Sequence, residues 1–77
     1  MILHYIYRNP TQYVVRVAHA KKGDMVIFSE SYDRKWIATR TDNTVVIASK
    51  KYSKFFNSFT LLQDGDYTLE VHYAPSR

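Results

Sequence analysis

The chain has no cysteine, and only two glycines and two prolines among its 77 residues. Without thiols there is no disulfide framework, no thiolate metal site and no cysteine nucleophile. With Gly23 and Gly65 alone, no glycine-rich phosphate loop can be built. Apolar runs are short: none approaches the roughly 20 residues that a membrane-crossing helix requires. The opening MILHYIYRNP also lacks the basic region and apolar core of a secretory leader. His4, His19 and His72 are scattered without the close spacing of a zinc motif, and the seven acidic residues form no calcium loop. No metal and no cofactor are expected.

What remains is a β-rich composition. The chain is 45% hydrophobic and 16% aromatic, with seven tyrosines and four phenylalanines. Residues of this kind favour a pleated, half-buried surface. The length allows one domain, residues 1–77, with a single core. A chain of this size buries only roughly 60% of the surface it exposes when unfolded, so a neighbour that covers more of it would add stability. The net charge of +4 comes from dispersed lysines and arginines, densest at Lys21-Lys22 and at Lys50, Lys51 and Lys54. Such charge reads first as a solvated surface, with contact to polyanions such as nucleic acid or an anionic cell-surface polymer as the alternative.

Alternation of apolar residues between turn signals predicts strands at residues 2–7, 12–19, 25–31, 36–41, 44–49, 59–63 and 67–74. Asn9-Pro10 ends the first, since proline removes a donor and restrains its predecessor. In the second, Tyr13, Val15 and Val17 share one face. The apolar start of MVIFSES predicts a strand covered on both faces, and Lys21-Lys22-Gly23-Asp24 and Asp42-Asn43 are turns. The strands from residue 25 to residue 49 are expected to form a meander. FTLLQ and YTLEVHYA are expected to pair about Asp64-Gly65-Asp66, with Tyr67, Leu69, Val71 and Tyr73 on the inner face of the last strand. Residues 50–56 are ambiguous. Tyr52, Phe55, Phe56 and Phe59 fall at i, i+3, i+4 and i+7, which fits one helical turn, and they also fit an aromatic loop entering a strand. The expected fold is mainly β, a small antiparallel β-sandwich of six or seven strands. Pro75-Ser76-Arg77 reads as a domain boundary.

Catalysis requires a nucleophile beside a base, or two carboxylates facing a substrate. Neither grouping is present by spacing. Glu30 and Asp33 read as turn-capping and surface charge, and His72 as an exposed histidine on an outer strand face. No catalytic residue is assigned. Binding fits the composition better, because rings can stack on sugars or bases while lysines hold anionic groups. The aromatic candidates are Tyr32, Trp36, Tyr52, Phe55 and Phe56, all near loop ends, although a domain this small also needs large side chains for its core.

Four segments in order, NPTQYVVRV, VIFSESYDRKWIA, FFNSF and GDYTLEVHYAP, resemble the C-terminal extracytoplasmic β-domain of large multi-spanning membrane proteins. Those proteins include bacterial ones implicated in glycosylating cell-surface polymers, their archaeal relatives and arabinofuranosyltransferase-like proteins. The similarity falls on Asn9 to Tyr13, on Ser29, Ser31, Tyr32 and Trp36, on Asn57 to Phe59, and on Gly65, Tyr67, Tyr73 and Pro75, and it covers about residues 8–75. The chain departs from the pattern in having Arg34-Lys35 before Trp36 where the family has Pro-Gly, and Asn57-Ser58-Phe59 where it has Asn-Gly-Trp.

The resemblance implies a non-catalytic, galactose-binding-like or jelly-roll-like module on the outer face of the cell membrane. That module would be part of a longer glycosyltransferase-like membrane protein. The implied role is weak binding of a glycan or surface polymer, or positioning of an acceptor, with Tyr32, Trp36, Tyr52, Phe55 and Asn57 as ligand contacts. A second reading is a structural domain that packs on its own membrane domain or on another subunit. A third is a small basic nucleic-acid-binding β-barrel.

Overall fold

A computed structural model describes residues 1–74 of the chain. The tail Pro75-Ser76-Arg77, expected to be a boundary, and the motif position Pro75 lie outside the described residues. Eight strands follow in chain order: β1 (Ile2–Asn9), β2 (Gln12–Ala20), β3 (Met25–Ser31), β4 (Trp36–Arg40), β5 (Val46–Ala48), β6 (Lys50–Tyr52), β7 (Phe56–Thr60) and β8 (Gly65–Tyr73). They form two antiparallel sheets, one of five strands in the order β1-β2-β8-β4-β5 and one of three in the order β3-β7-β6. The fold is therefore mainly β, as the composition predicts.

Local chemistry explains the turns. Between β1 and β2 the Asn9 side chain accepts from the Thr11 backbone N–H at 3.0 Å and from the Thr11 hydroxyl at 2.9 Å. These bonds close the reversal around Pro10, which has no N–H to offer. Between β2 and β3 the chain changes sheets. There Gly23 takes a positive φ of 97°, and the Asp24 carboxylate accepts from the Lys21 N–H at 2.9 Å. Two backbone bonds, Gly23 N–H to the Leu61 carbonyl at 2.9 Å and Leu61 N–H to the Asp24 carbonyl at 2.7 Å, hold this crossing against the segment that leaves β7.

The two sheets meet through the alternating inner faces that the sequence marks. Val15 and Val17 of β2, Tyr67, Leu69 and Val71 of β8, Trp36 and Ala38 of β4 and Ile47 of β5 pack against Val26 and Phe59 of the small sheet and against Leu61. Each large apolar side chain enclosed here contributes about 1.5–3 kcal/mol. β8 lies at the centre of the five-stranded sheet, paired with β2 on one side and β4 on the other.

Several expectations about connectivity are corrected. FTLLQ and YTLEVHYA do not form a hairpin: β7 pairs with β3 and β6, whereas β8 pairs with β2 and β4. Gly65, with φ 115°, thus serves a crossing between sheets and not a tight reversal. The predicted meander is broken likewise, since β3 lies in one sheet and β4 and β5 in the other. MVIFSES is not covered on both faces, because Val26 is buried while Met25 and Ile27 are exposed. The ambiguous segment is not helical: Lys50–Tyr52 and Phe56–Thr60 are paired strands joined by a turn at residues 53–55. The described residues hold eight strands because the run predicted at residues 44–49 leaves one sheet at Ser49 and the chain continues in the other as β6.

Candidate functional site

Trp36 opens β4 directly beneath the junction of the sheets and is 6% exposed. It makes edge-on contacts with Phe28 at 4.7 Å and Tyr73 at 5.3 Å between ring centroids. Phe28 in turn meets Tyr13 at 5.0 Å, and Tyr13 meets Tyr7 at 5.3 Å. The five rings form a continuous line from the core to the surface of β1. Edge-on pairs of this kind add roughly 0.5–1.5 kcal/mol each beyond the area they bury. Trp36, expected among the ligand contacts, is instead part of the framework.

Asn57, also expected to touch a ligand, is fully buried on β7 and occupied on every side. Its Oδ1 accepts from the Ser49 hydroxyl at 2.7 Å and from the Asp33 backbone N–H at 3.2 Å. Its Nδ2 donates to the carbonyls of Glu30 at 2.9 Å and Ser31 at 3.2 Å. A side-chain amide offers two donors and two acceptor positions, and all four are used. Asn57 therefore fastens the end of β3, the β3–β4 loop and the sheet-switching Ser49 to one point.

The β3–β4 loop is held by its own acid. The Asp33 carboxylate accepts from the Lys35 N–H at 2.9 Å and from the Tyr73 hydroxyl at 2.8 Å. The Lys35 N–H first, and the Tyr73 hydroxyl second, hold the Asp33 carboxyl below its ordinary range. The same bond raises the Tyr73 phenol. Asp33 thus caps the turn, as its sequence position suggests, whereas Glu30 accepts a long bond of 3.4 Å from the Tyr13 hydroxyl. Burial raises the Tyr13 phenol, and the neighbouring Glu30 charge adds to it. No group of three or more His, Cys, Asp or Glu among the described residues is placed to hold a metal ion.

Two surfaces remain available to a partner. The first brings together the other three expected contacts. The Tyr32 N–H donates to the Phe55 carbonyl at 2.6 Å, which ties the β3–β4 loop to the β6–β7 turn. Lys51 lies over the Tyr32 ring at 5.4 Å, and Phe55 is 65% exposed. Tyr52 stands opposite Phe56 in register, and both are exposed. With Met25 and Ile27, Tyr52 and Phe56 give the small sheet an apolar outer face, which Lys50 shares.

The second surface was not singled out from sequence. All eight residues of β1 are exposed, including Ile2, Leu3, Tyr5, Ile6 and Tyr7. The register pairs Leu3 with Val17, Tyr5 with Val15 and Tyr7 with Tyr13, so these three project on the core side of the large sheet. The small sheet stops at β3 and does not reach over them. A trough of about 210 Å³ results, floored by Leu3, Tyr5, Tyr13 and Val15 and walled by Phe28 and Glu30 of β3. It falls short of the roughly 300–1,000 Å³ of an ordinary small-molecule pocket. The available signal was ILHYIY itself, whose apolar residues occupy both alternating faces and so demand cover on both.

Comparison of the chain with protein-family models, with curated proteins and with solved structures gives no match.

Proposed function

We propose that the chain is a non-catalytic β-sandwich interaction domain whose working surface is β1 with the adjoining trough. The observation that carries this reading is the exposure of β1: Tyr5 and Ile2 are each 63% exposed, Tyr7 56% and Ile6 52%. A long apolar edge strand is a liability that folds normally blunt with charge, bulges or cover. A contiguous apolar patch with polar surroundings is the signature of a docking face. The resemblance to extracytoplasmic domains of membrane proteins suggests one setting for such a face, the packing of this module on the rest of a longer polypeptide at the cell surface.

The absence of cysteine gives a direct test. Tyr5→Cys is introduced in the protein as its own cells produce it, with Thr44→Cys on an exposed loop as the reference, and both are treated with a maleimide. Protection of position 5 relative to position 44 is expected. Equal reactivity contradicts the proposal.

A second reading, contact with a glycan or anionic surface polymer, is favoured by the convergence of Tyr32, Phe55 and Lys51 beside Tyr52. Rings offer stacking faces, and Lys51 and Lys54 offer charge. Titration with surface-glycan fragments should shift the amide resonances of the β6–β7 turn; unmoved resonances at millimolar fragment oppose this reading. A nucleic-acid groove gains less support, because the two lysine groups lie at opposite ends of β3. Lys21-Lys22 precedes Met25, whereas the β6–β7 turn abuts Ser31. A continuous basic track, which strand binding uses, does not connect them.

A further inference from the structure

We propose that the end of the molecule carrying the β6–β7 turn docks on an anionic lipid bilayer, with Phe55 entering the headgroup region and Arg34, Lys51 and Lys54 meeting lipid phosphates. The proposal is independent of the reading of β1.

Charge is sorted along the strands. The β1–β2, β3–β4 and β6–β7 connections lie at one end and are tied together there. The Tyr73 N–H donates to the Thr11 carbonyl at 2.9 Å, the Ala74 N–H to the Lys35 carbonyl at 2.8 Å and the Tyr32 N–H to the Phe55 carbonyl at 2.6 Å. Arg8, Arg34, Lys35, Lys51 and Lys54 belong to this end. Its acids are Glu30 and Asp33, and the Asp33 carboxylate is already occupied by the Lys35 N–H and the Tyr73 hydroxyl. Asp24, Asp42, Asp64 and Asp66 stand at the other end, in or beside the links 21–24, 41–45 and 61–64. Between Asp42 and Asp64 the chain has three lysines and no acid. A basic pole of this kind is drawn to a negative surface and orients the molecule toward it.

Exposed rings are gathered at the same pole. Phe55 is 65% exposed on the β6–β7 turn, and Tyr52 and Phe56, paired across that hairpin, are 43% and 37% exposed. A phenylalanine at this place has no polar atom to offer a dissolved polymer. It gains by burial at the acyl boundary, while the lysines beside it extend their ammonium groups to the phosphates. Tyr52 suits the interface, where amphipathic rings concentrate. The backbone of the turn is prepared for the loss of water, because the Phe55 carbonyl already accepts from the Tyr32 N–H. A polyanionic strand in solution is held instead along a basic groove, whereas Phe55 stands on a turn between strands.

The two kinds of contact act together. Each lysine close to an anionic surface strengthens partition by about fivefold, and burial of the Phe55 ring adds about tenfold. Neither alone holds a protein on a membrane. Binding is therefore reversible, requires both, and weakens as salt screens the lysines.

The purified chain is sedimented with vesicles of phosphatidylcholine alone and of phosphatidylcholine mixed with phosphatidylglycerol. Lys54→Gln and Phe55→Ala are run beside it, with Lys22→Gln at the opposite end as the reference. All three side chains are exposed, and circular dichroism with Trp36 emission checks that each variant folds. Binding to the mixed vesicles alone is expected, weaker by about fivefold for Lys54→Gln and about tenfold for Phe55→Ala, and unchanged for Lys22→Gln. In Phe55→Trp, brominated acyl chains should quench emission that they leave untouched in the native chain. Absence of binding to the mixed vesicles overturns the proposal. So does an equal loss for Lys22→Gln and Lys54→Gln, which is attraction without orientation. Polyphosphate is the comparison in solution: if it binds as tightly as the vesicles and Phe55→Ala weakens neither, the partner is a dissolved polyanion and the bilayer is excluded.

Discussion

Asn57→Ala is the most informative single perturbation of the fold, because it removes a buried side chain whose four hydrogen bonds join three segments. The carbonyls of Glu30 and Ser31 belong to exposed residues and regain water. The Ser49 hydroxyl is enclosed and the Asp33 N–H half-enclosed, so these two lose their partner without replacement. An unsatisfied buried group costs about 1–3 kcal/mol, which gives a loss of roughly 2–5 kcal/mol before any cavity is counted. A domain of this size has only about 4–11 kcal/mol in total. The variant should therefore forfeit a third or more of the stability, read as a fall in Tm of at least about 10 °C and a lower urea midpoint at unchanged m.

Asn57→Asp sharpens the test. Its acceptor is retained, but an ionised carboxylate faces the two carbonyls that Nδ2 served. Its carboxyl is held above the unfolded value, so the variant recovers at acid pH and loses stability as pH rises through about 4. A cost below about 1 kcal/mol for Asn57→Ala, or a pH-independent cost for Asn57→Asp, would refute the role assigned to this amide.

Three further outcomes are expected. Tyr13, Tyr67 and Tyr73 have phenols raised above 10.0, the first two chiefly by burial and the third by its bond to Asp33. Their stabilisation is complete below the unfolded value and is lost as pH rises past it. Absorbance at 295 nm should thus show a late-titrating tyrosine fraction that merges with alkaline unfolding, and seven identical titrations would contradict the packing. The Asp33 carboxyl is lowered from 3.8, so its contribution is present above that value and lost as pH falls below it. The stability gap between the native chain and Asp33→Asn should therefore close under acid. Trp36→Ala should cost about 3–5 kcal/mol in urea denaturation, and the native Trp36 emission should resist quenching by iodide.

The inner faces were legible in the sequence because they obey a strict period of two. Val15 and Val17, and Tyr67, Leu69 and Val71, are the buried residues that the alternation names. Sheet membership was not legible, since a short link such as residues 61–64 serves a hairpin or a crossing equally well until the facing sheet is known. Gly65 supplied a positive φ in either case. The period of Tyr52, Phe55, Phe56 and Phe59 suggested a helix, yet Phe59 is buried while the other three lie at or beside a turn and are exposed.

Among the candidate contacts, aromatic identity could not separate a core ring from a presented one. Trp36 and Asn57 went inward because the β3–β4 loop folds over them, whereas Tyr52 and Phe55 stayed out. β1 was readable as a strand. Its lack of cover was not, because exposure depends on where the opposite sheet stops.

The decisive measurement is residue-resolved amide exchange of β1 in the dilute isolated chain, with β8 as the reference. The β1 amides that point away from β2 should exchange at rates close to those of an unstructured peptide, while the amides of β8, which is paired on both sides, should be slow. Edge amides of β1 that are already slow in the dilute isolated chain would contradict a working surface built on the uncovered strand.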